Sequence, residues 1–384
     1  MTVGHVLWPD QLSDTERAAL DPGLPTDLNR APDVLVVGGG MLGVATAVAC
    51  SRAQLGSVVL LERDHLGAGA SGGAAGQLMP ESHVGADPPE LVDLGRISLA
   101  AWRELETTTP GGVGLLDLDW LGIGPDIARF DQVLPLRAER LSADEIARLI
   151  PGLRQPSAGV LVRDEARLNP LRAIARLVSS LPAPVAQVAT HVEVLGVATE
   201  HGRISTVRSS AGDFTPGVVV FATGLPPRLD GLELRLPAHE VKGHIVVSEP
   251  TSLRLPGAVA PLATSLEDGR LLIGGTLDLG DDTRVVRPEI LEAEWADLVA
   301  AWPAVHDVGV AYGWACFRPA HPDYLPVIDR VAGLDNAWLT SGHYRTGILM
   351  APATANALAT WIATGAAVAS VEAFGAARLL ATPL

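Results

Sequence analysis

Cysteine and lysine are unusually scarce in this 384-residue sequence, which has two cysteines, Cys50 and Cys316, and one lysine, Lys242. Two cysteines exclude a disulfide-rich scaffold and a structural zinc site built on thiolates. So few cysteines fit a reducing compartment, and we therefore expect a cytoplasmic location. With one lysine, a mechanism that needs a lysine base or a Schiff base has a single candidate residue.

Positive charge is also in short supply, because 28 Lys and Arg residues face 44 Asp and Glu residues and leave a net charge of −16. Such a chain is a poor partner for nucleic acid or for an anionic membrane surface. The first 20 residues lack the basic and apolar regions of a secretory signal. Two uncharged stretches, 34–51 and 346–371, are broken by glycines, a proline and an asparagine, so we predict buried elements rather than membrane spans.

Hydrophobic residues make up 48% of the chain, which is enough for a large core. An apolar run at 34–37, a helical stretch from about 41 to 55 and a second run at 57–61 predict a strand–helix–strand unit of a parallel sheet. Residues 1–31 come before this unit, and we interpret them as an N-terminal extension. Between residues 241 and 275, alternating apolar runs and turns predict a mixed, largely antiparallel sheet.

A glycine motif stands between the first apolar run and the helix. Gly38, Gly40 and Gly43 form G-x-G-x-x-G, and Glu62 ends the second run 19 residues after Gly43. Glycines allow a tight turn and close approach to a pyrophosphate at the helix N-terminus, and the acid can accept hydrogen bonds from a ribose diol. The pattern predicts a dinucleotide site; the alternative is a purely structural turn.

A second small-residue stretch, ERDHLGAGASGGAAGQLMP at 62–80, follows the acid, and an apolar strand with a small-residue end, VVVFATG, lies at 218–224. The stretch alone could be a flexible loop. Together with Glu62, these segments resemble the FAD-binding pattern of the D-amino-acid oxidase superfamily. The resemblance implies FAD rather than NAD as the cofactor.

Two C-terminal motifs make the resemblance more specific. SGHYRTGILMAPATANAL at 341–358 and YGWACFRPAHPDYLPVID at 312–329 resemble glycine oxidase, and VKGH at 241–244 and DGRLLIGGT at 268–276 precede them in the expected order. The resemblance covers residues 33–363 and implies an α/β fold. In it, a Rossmann-type FAD-binding domain (32–84, 157–236 and 318–384) is interleaved with a substrate domain (85–156 and 237–317).

The resemblance also implies residue roles. Arg318 corresponds to the arginine that pairs with the substrate carboxylate, the alternative being an ordinary ion pair with Asp323 or Asp329. Arg345 would lie at the far side of the pocket, unless it caps or ion-pairs the loop before the last helix. His343 and Tyr344 complete the implied catalytic set. FAD contacts are implied at Gly38, Gly40, Met41, Leu42, Gly43, Glu62, Arg63, Ala70, Ser71, Ala75, Gly76, Gln77, Leu78, Thr223, Gly224, Cys316, Gly342, Thr346, Gly347, Ile348 and Leu349.

Three positions depart from the family pattern. No tyrosine occurs at 257–263, where glycine oxidase has a substrate-contacting one, and the oxygen-activating lysine of sarcosine oxidase would fall near Leu272. Cys316 lies seven residues before Asp323, the spacing of the cysteine that bonds covalently to flavin in the sarcosine-oxidase group. The resemblance leaves open a covalent flavin at Cys316 and a small buried core cysteine.

The implied activity is oxidation of a small amine or α-amino acid to an imine by hydride transfer to FAD, with oxygen as the acceptor and hydrogen peroxide as product. Alternatives are a dehydrogenase of amines or 2-hydroxy acids that uses another electron acceptor, and a non-catalytic flavin-binding subunit. No His, Asp and Glu cluster has metal-ligand spacing, and no hydrolase motif is present. Assembly into a homo-oligomer is left open.

Overall fold

A computed structural model describes residues 2–131 and 133–380. The described residues form three sheets flanked by helices. The strands are β1 (Thr2–Val3), β2 (Val34–Val37), β3 (Val58–Leu61), β4 (Gln77–Leu78), β5 (Leu116–Ile123), β6 (Ala138–Leu141), β7 (Gly159–Arg167), β8 (Ala186–Ala189), β9 (Val194–Glu200), β10 (Arg203–Ser209), β11 (Gly212–Phe214), β12 (Val218–Gly224), β13 (His239–Ser248), β14 (Ala258–Ala260), β15 (Ala263–Ser265), β16 (Leu271–Gly274), β17 (Val310–Ala320), β18 (Val327–Arg330) and β19 (Ala337–Ser341). The helices are α1 (Asp14–Leu20), α2 (Met41–Arg52), α3 (Ala70–Gly73), α4 (Pro89–Thr108), α5 (Ala143–Leu149), α6 (Pro170–Ser179), α7 (Pro288–Ala301), α8 (Gly347–Thr364) and α9 (Ala377–Leu380).

The six-stranded sheet has the order β18-β19-β12-β2-β3-β8 and is parallel except for β18. Its central strands are apolar at every position because both faces are covered. Val34 and Val36 pack with helices α2, α6 and α8, whereas Leu35 and Val37 pack with the small sheet β11-β10-β9. The predicted parallel strand–helix–strand unit is confirmed, with the helix ending at Arg52.

The second large sheet has ten strands in mixed directions, in the order β1-β17-β13-β16-β15-β14-β5-β7-β4, with β6 beside β7. Side chains of β13 alternate between its faces. Ile245 and Val247 join the core that contains α2 and α8, whereas Val246 packs in the core beneath α7. The α/β fold with a mixed, largely antiparallel second sheet is therefore confirmed. The predicted boundary at residue 157 would assign β7 to the FAD-binding domain, although β7 pairs in the ten-stranded sheet; the boundaries stay predictions.

No single helix of the described residues combines the length and hydropathy that a membrane crossing would need. By length and composition alone, Gly347–Thr364 and Ala369–Leu380 pass together as a pair bent by 112°.

The N-terminal extension is packed into the fold. β1 pairs in parallel with β17, and the buried Trp8 donates its indole N–H to the carbonyl of Ala74 at 2.7 Å. The Trp8 ring meets Trp314 edge to face at 6.3 Å between centroids. Helix α1 begins with a capping box formed by Ser13 and Glu16. Residues 2–20 therefore stabilise the 70–78 segment.

We predict that Trp8→Ala lowers the free energy of unfolding by about 3–5 kcal/mol, because it removes a large buried ring and leaves a cavity. Thermal and urea unfolding measure this. Leu24→Ala is the control, since Leu24 is 51% exposed. Equal stability of the two variants would show that the extension is not part of the folded unit.

Candidate active site

The glycine turn brings α2 against the end of β2. Gly38 has a φ of +111°, and a Cβ on it would lie 2.9 Å from the carbonyl carbon of Ala222 in β12. A Cβ on Gly43 would overlap with the carbonyl oxygen of Gly38. A side chain at either position would therefore separate the helix from the strands.

The N-terminus of α2 opens from this turn. The backbone N–H of Met41 donates to Ser71 Oγ at 2.9 Å, while those of Leu42 and Gly43 have no partner within the helix because they lie in its first turn. These N–H groups and the helix dipole favour an anion here. On Gly40, a Cβ would meet only Ser71 Oγ, at 3.2 Å, so backbone can be approached closely from this side.

Glu62 lies at the mouth of the same turn. Its carboxylate accepts the N–H of Gly39 at 2.6 Å and that of Asp64 at 2.9 Å. Each carboxylate oxygen has a further lone pair, so the group can also accept hydrogen bonds from a diol. Its neighbour Arg63 is exposed.

The second small-residue stretch is packed against β17, so the flexible-loop alternative is wrong. Helix α3 packs so closely on β17 that a Cβ on Gly73 would lie 3.3 Å from Cys316 Sγ. Trp314 donates its indole N–H to the Gly73 carbonyl at 2.9 Å. Beyond Ala75, a Cβ on Gly76 would overlap with the backbone of Leu168, the residue that follows β7. The stretch ends in β4, formed by the next two predicted positions, Gln77 and Leu78.

Cys316 is buried between β17 and α3, with its sulfur 3.6 Å from the carbonyl oxygen of Ala70. Burial raises the pKa of the thiol to about 11, so it is protonated at neutral pH. The thiolate is the nucleophile in sulfur chemistry, so this environment favours a packing role. The covalent bond to flavin stays an untested alternative.

Two further predicted segments meet at the carboxyl edge of the parallel sheet. The N–H of Gly342 donates to the Gly224 carbonyl at 2.8 Å, joining the ends of β19 and β12, and Thr223 lies beside Gly38. Helix α8 starts next to this junction. Its first N–H groups, on Gly347, Ile348 and Leu349, lack intrahelical partners, while Thr346 at the N-cap is bonded back to His343.

Arg318 extends from β17 across a cradle that has no side chains. Its Nη1 donates to the Thr276 carbonyl at 2.9 Å. A Cβ on Gly243 would overlap with the guanidinium group, and one on Gly275 would lie 2.7 Å from Nη2. The group therefore lies directly on the backbone of β13 and of the turn after β16.

The ion-pair alternative for Arg318 is wrong. Asp323 instead pairs with Arg378 at 2.7 Å, and Asp329 accepts backbone N–H groups of Arg330 and Ala376. Among residues 2–131 and 133–380, no carboxylate lies within 4.0 Å of the Arg318 guanidinium. Its positive charge is thus available for a bound anion.

Arg345 has an ion pair, as its structural alternative predicts. Its Nη2 lies 3.0 Å from Asp87 Oδ2, and the same oxygen lies 2.5 Å from His83 Nδ1. Burial raises the pKa of the neighbouring Tyr344 phenol, while Arg318 and Arg345 oppose that rise. The Arg345 guanidinium carbon lies 5.9 Å from the centroid of the Tyr344 ring.

His343 is buried, with Nε2 3.4 Å from Thr354 Oγ1. Burial, followed by the nearby His321, lowers the pKa of His343 to about 3. The ring is therefore neutral at physiological pH and cannot supply a positive charge.

The oxygen-activating lysine has no counterpart on the face of Arg318. Lys242 is completely buried on the opposite face of β13, where Nζ lies 2.9 Å from Asp281 Oδ2. Leu272, where the family lysine would fall, is an apolar side chain packed in the α2–α8 core. The prediction that Lys242 does not take the position of the oxygen-activating lysine agrees with its place on the opposite face of β13.

A family model described as FAD dependent oxidoreductase (DAO) matches residues 33–361. This chain belongs to the DAO family. A glycine oxidase of Pseudomonas putida is 31% identical over 356 residues, covering 87% of this chain and 94% of that protein. A glycine oxidase of Pseudomonas aeruginosa is 30% identical, covering 85% and 93%. The predicted superfamily and its FAD dependence are confirmed.

Solved structures share the fold of this DAO-family enzyme. An L-amino acid deaminase from Proteus vulgaris has a TM-score of 0.82 at 20% identity, covering 96% of this chain and 99% of that one. Glycine oxidase from Geobacillus kaustophilus has a TM-score of 0.79 at 23% identity, covering 91% and 99%. At these identities the likeness concerns the fold alone.

The residues present fit FAD. The cradle without side chains at Gly40, the free N–H groups of α2 and the remaining lone pairs of Glu62 suit a pyrophosphate and a ribose. The start of α8 would direct N–H groups and the positive end of its dipole at the pyrimidine side of the ring system, where negative charge develops on reduction. These roles stay predictions for each residue.

Sequence reasoning missed the cradle of Arg318. Gly243, Gly275 and Thr276 all lie in the VKGH and IGGT segments, whose order along the chain supports the family resemblance but does not by itself reveal a cradle. Gly243 at the centre of the buried strand β13 is the signal that could have identified this cradle, because a glycine inside a strand marks the close approach of another group.

Two buried acids, Glu81 and Glu165, hold the segment that carries His83 and Asp87. Glu81 forms an ion pair with Arg96 at 2.5 Å, and its N–H donates to Glu165 Oε1 at 3.3 Å. The other oxygen of Glu165 has no hydrogen-bond partner. Burial raises the pKa of Glu165 to about 8, so its carboxyl is protonated at neutral pH.

We predict that Glu165→Gln stabilises the protein relative to wild type as pH rises from about 4.5 to 8. The unfolded chain loses the Glu165 proton near pH 4.5 and the folded chain keeps it to about 8, so wild-type stability falls by roughly 1.4 kcal/mol per pH unit in this window. Melting temperatures of both proteins from pH 5 to 8 measure the widening difference. Glu200→Gln is the exposed control; a constant difference between Glu165→Gln and wild type would contradict the prediction.

Proposed function

We propose that this DAO-family enzyme oxidises a small amine or α-amino acid that carries a carboxylate, giving an imine that water then hydrolyses. The observation that carries the proposal is the unpaired Arg318 guanidinium, held on a glycine cradle. Bound FAD supplies the acceptor for the hydride from the carbon beside the nitrogen. Oxygen is the proposed final acceptor, with hydrogen peroxide as product.

The first step is to bind and orient the substrate. A guanidinium has five N–H donors in a fixed plane and matches a carboxylate through two parallel hydrogen bonds. Arg318 uses one N–H donor for the hydrogen bond to the Thr276 carbonyl, which leaves the other donors for a substrate carboxylate. The group is half-buried, and no carboxylate of the described part of the chain lies within 4.0 Å of it. Its attraction for a bound carboxylate is therefore weakened less by water than at the surface.

Aromatic side chains form the adjacent wall. Tyr324 and Tyr344 lie with ring centroids 4.9 Å apart, and the N–H of Tyr344 donates to the carbonyl of Pro319, the residue after Arg318, at 2.7 Å. We assign this pair to the substrate side chain, in place of the tyrosine missing from 257–263. Arg345 then acts indirectly, because Asp87 already neutralises it.

The reaction needs no strong base from the protein. A neutral amine can lose a hydride without prior proton abstraction, and His343, with a pKa lowered to about 3, adds no positive charge that would disfavour an imine cation. His343 is accordingly proposed as a packing neighbour of the ring system.

The relatives support the substrate class, since those from Pseudomonas putida and Pseudomonas aeruginosa are glycine oxidases. A second candidate is a dehydrogenase that uses another electron acceptor, and the apolar Leu272 in the lysine position favours it. A non-catalytic subunit would need a surface for a partner, and the N-terminal extension is disfavoured for that role because Trp8 and β1 pack on this chain itself. We propose the cytoplasm as the location, consistent with two unpaired cysteines.

The test is anaerobic mixing of the purified yellow protein with a panel of amines, amino acids and 2-hydroxy acids. We predict bleaching of the flavin band by at least one carboxylate-bearing amine, and peroxide release when air is admitted. Bleaching by 2-hydroxy acids only would overturn the substrate class. Bleaching without peroxide release would favour the dehydrogenase.

Arg318→Leu completes this test. It should raise KM for the bleaching substrate by about 100-fold or more, since a charged hydrogen-bonded pair is lost, while flavin stays bound. Arg330→Leu is the matched control, because its side chain lies in β18 and is exposed. An unchanged KM in Arg318→Leu would remove this arginine from the proposed site.

We predict that FAD is held without a covalent bond, because the Cys316 thiol is buried and protonated. Acid precipitation should leave the yellow colour in the supernatant, for wild type and for Cys316→Ala alike. Colour in the wild-type pellet that is absent from the Cys316→Ala pellet would establish the covalent alternative.

A further inference from the structure

Residues 276–287, which we call the strap, connect β16 to α7 and run beside β13. The N–H of Asp278 donates to the Lys242 carbonyl at 2.9 Å, and the N–H of Thr276 donates to the His244 carbonyl at 3.2 Å. The strap therefore continues the sheet for one pair of residues beyond β16. Its first residue provides the carbonyl that receives Arg318 Nη1.

A closed set of hydrogen bonds fixes that first residue. Thr276 Oγ1 accepts the N–H of His244 at 2.8 Å and donates to Asp278 Oδ2 at 3.2 Å. His244 Nδ1 lies 2.7 Å from the same carboxylate oxygen, and His244 Nε2 accepts the N–H of Arg287 at 3.1 Å. Each polar atom of the completely buried His244 ring is thus engaged, in its neutral form with the proton on Nδ1.

The far end of the strap is held separately. Lys242 Nζ reaches Asp281 Oδ2 at 2.9 Å and the Val285 carbonyl at 2.5 Å, and Arg287 pairs with Asp281 at 2.8 Å. This second anchor does not involve Thr276 or Asp278. Loss of the Asp278 side chain would therefore remove two of the hydrogen bonds that fix the start of the strap, while the backbone bonds keep the strap attached to β13.

We propose that Asp278 and His244 are positioning residues for substrate binding, acting through the Thr276 carbonyl on the Arg318 guanidinium. The inference rests on the function proposed above. The guanidinium plane is set by one hydrogen bond and by the cradle beneath it, so a shift of the carbonyl turns the remaining donors away from the carboxylate. Losing binding that the ground state and the transition state share raises KM and leaves kcat unchanged.

The experiment compares flavin-loaded Asp278→Ala and Thr276→Val with wild type. Both should raise KM for the bleaching substrate about 10-fold and leave kcat within about twofold. Both should also weaken acetate binding, followed by the flavin difference spectrum, by a similar factor. Asp282→Asn is the control, since Asp282 is exposed on the same strap; KM and acetate affinity should stay at wild-type values.

A double-mutant cycle separates positioning from a general loss of structure. If Asp278 acts through Arg318, then Asp278→Ala should cost no further acetate affinity or KM in the Arg318→Leu background. Additive losses would overturn the inference, and so would single variants with KM and acetate affinity within twofold of wild type. If Arg318→Leu changes neither KM nor acetate affinity, the proposed function is wrong. If Arg318→Leu changes both and Asp278→Ala changes neither, only the positioning role of Asp278 is wrong.

Discussion

The antiparallel pairing of β13 with β17 determines which side chains can serve the site. In its register, Gly243 lies opposite Cys316 and Lys242 lies opposite Phe317. Alternation then directs Cys316 and Arg318 towards the FAD-binding side and Lys242 and His244 towards the strap. A slip of β13 by one residue would turn the lysine towards the cofactor, and a slip of β17 by one residue would turn the arginine away from it. The hydrophobic residues of both faces prevent that slip, because both faces are buried.

Local patterns in the sequence were enough to predict the turn and the strands that would hold the cofactor, while the contact of each residue with FAD stays a prediction. The glycine turn, the acid after the second strand and the capping box of α1 depend on residues close in sequence, where spacing alone sets the geometry. The fold class was predictable for the same reason. By contrast, whether Arg318 forms an ion pair depends on where Asp323 and Asp329 lie in space, and residues 1–31 gave no sign that Trp8 packs on Trp314. Such contacts join segments separated by many residues, which periodicity does not register.

Arg318 keeps its positive charge uncompensated, because no carboxylate among residues 2–131 and 133–380 lies within 4.0 Å of it. Most arginines of this acidic chain have a carboxylate within reach, as Arg345 does in Asp87. Arg318 is spared because its neighbours are the backbone of Gly243 and Gly275 and the carbonyl of Thr276. A carbonyl orients a guanidinium without neutralising it. A site for a substrate carboxylate needs an arginine that is oriented and still carries its charge. An Asp or Glu side chain paired with Arg318 would orient the guanidinium but would neutralise it.

The position of the single lysine limits how oxygen could be activated in the proposed reaction. Lys242 is committed to Asp281 and to the Val285 carbonyl, with its side chain completely buried. Moving it to the cofactor face would require breaking a buried ion pair, which is strongly unfavourable because the partner charge is left uncompensated. Oxygen activation by a lysine is therefore closed to this enzyme. If oxygen is the acceptor, the positive charge that assists its reduction has to come from elsewhere, and Arg318 is a cation that the β13–β17 register directs to that side.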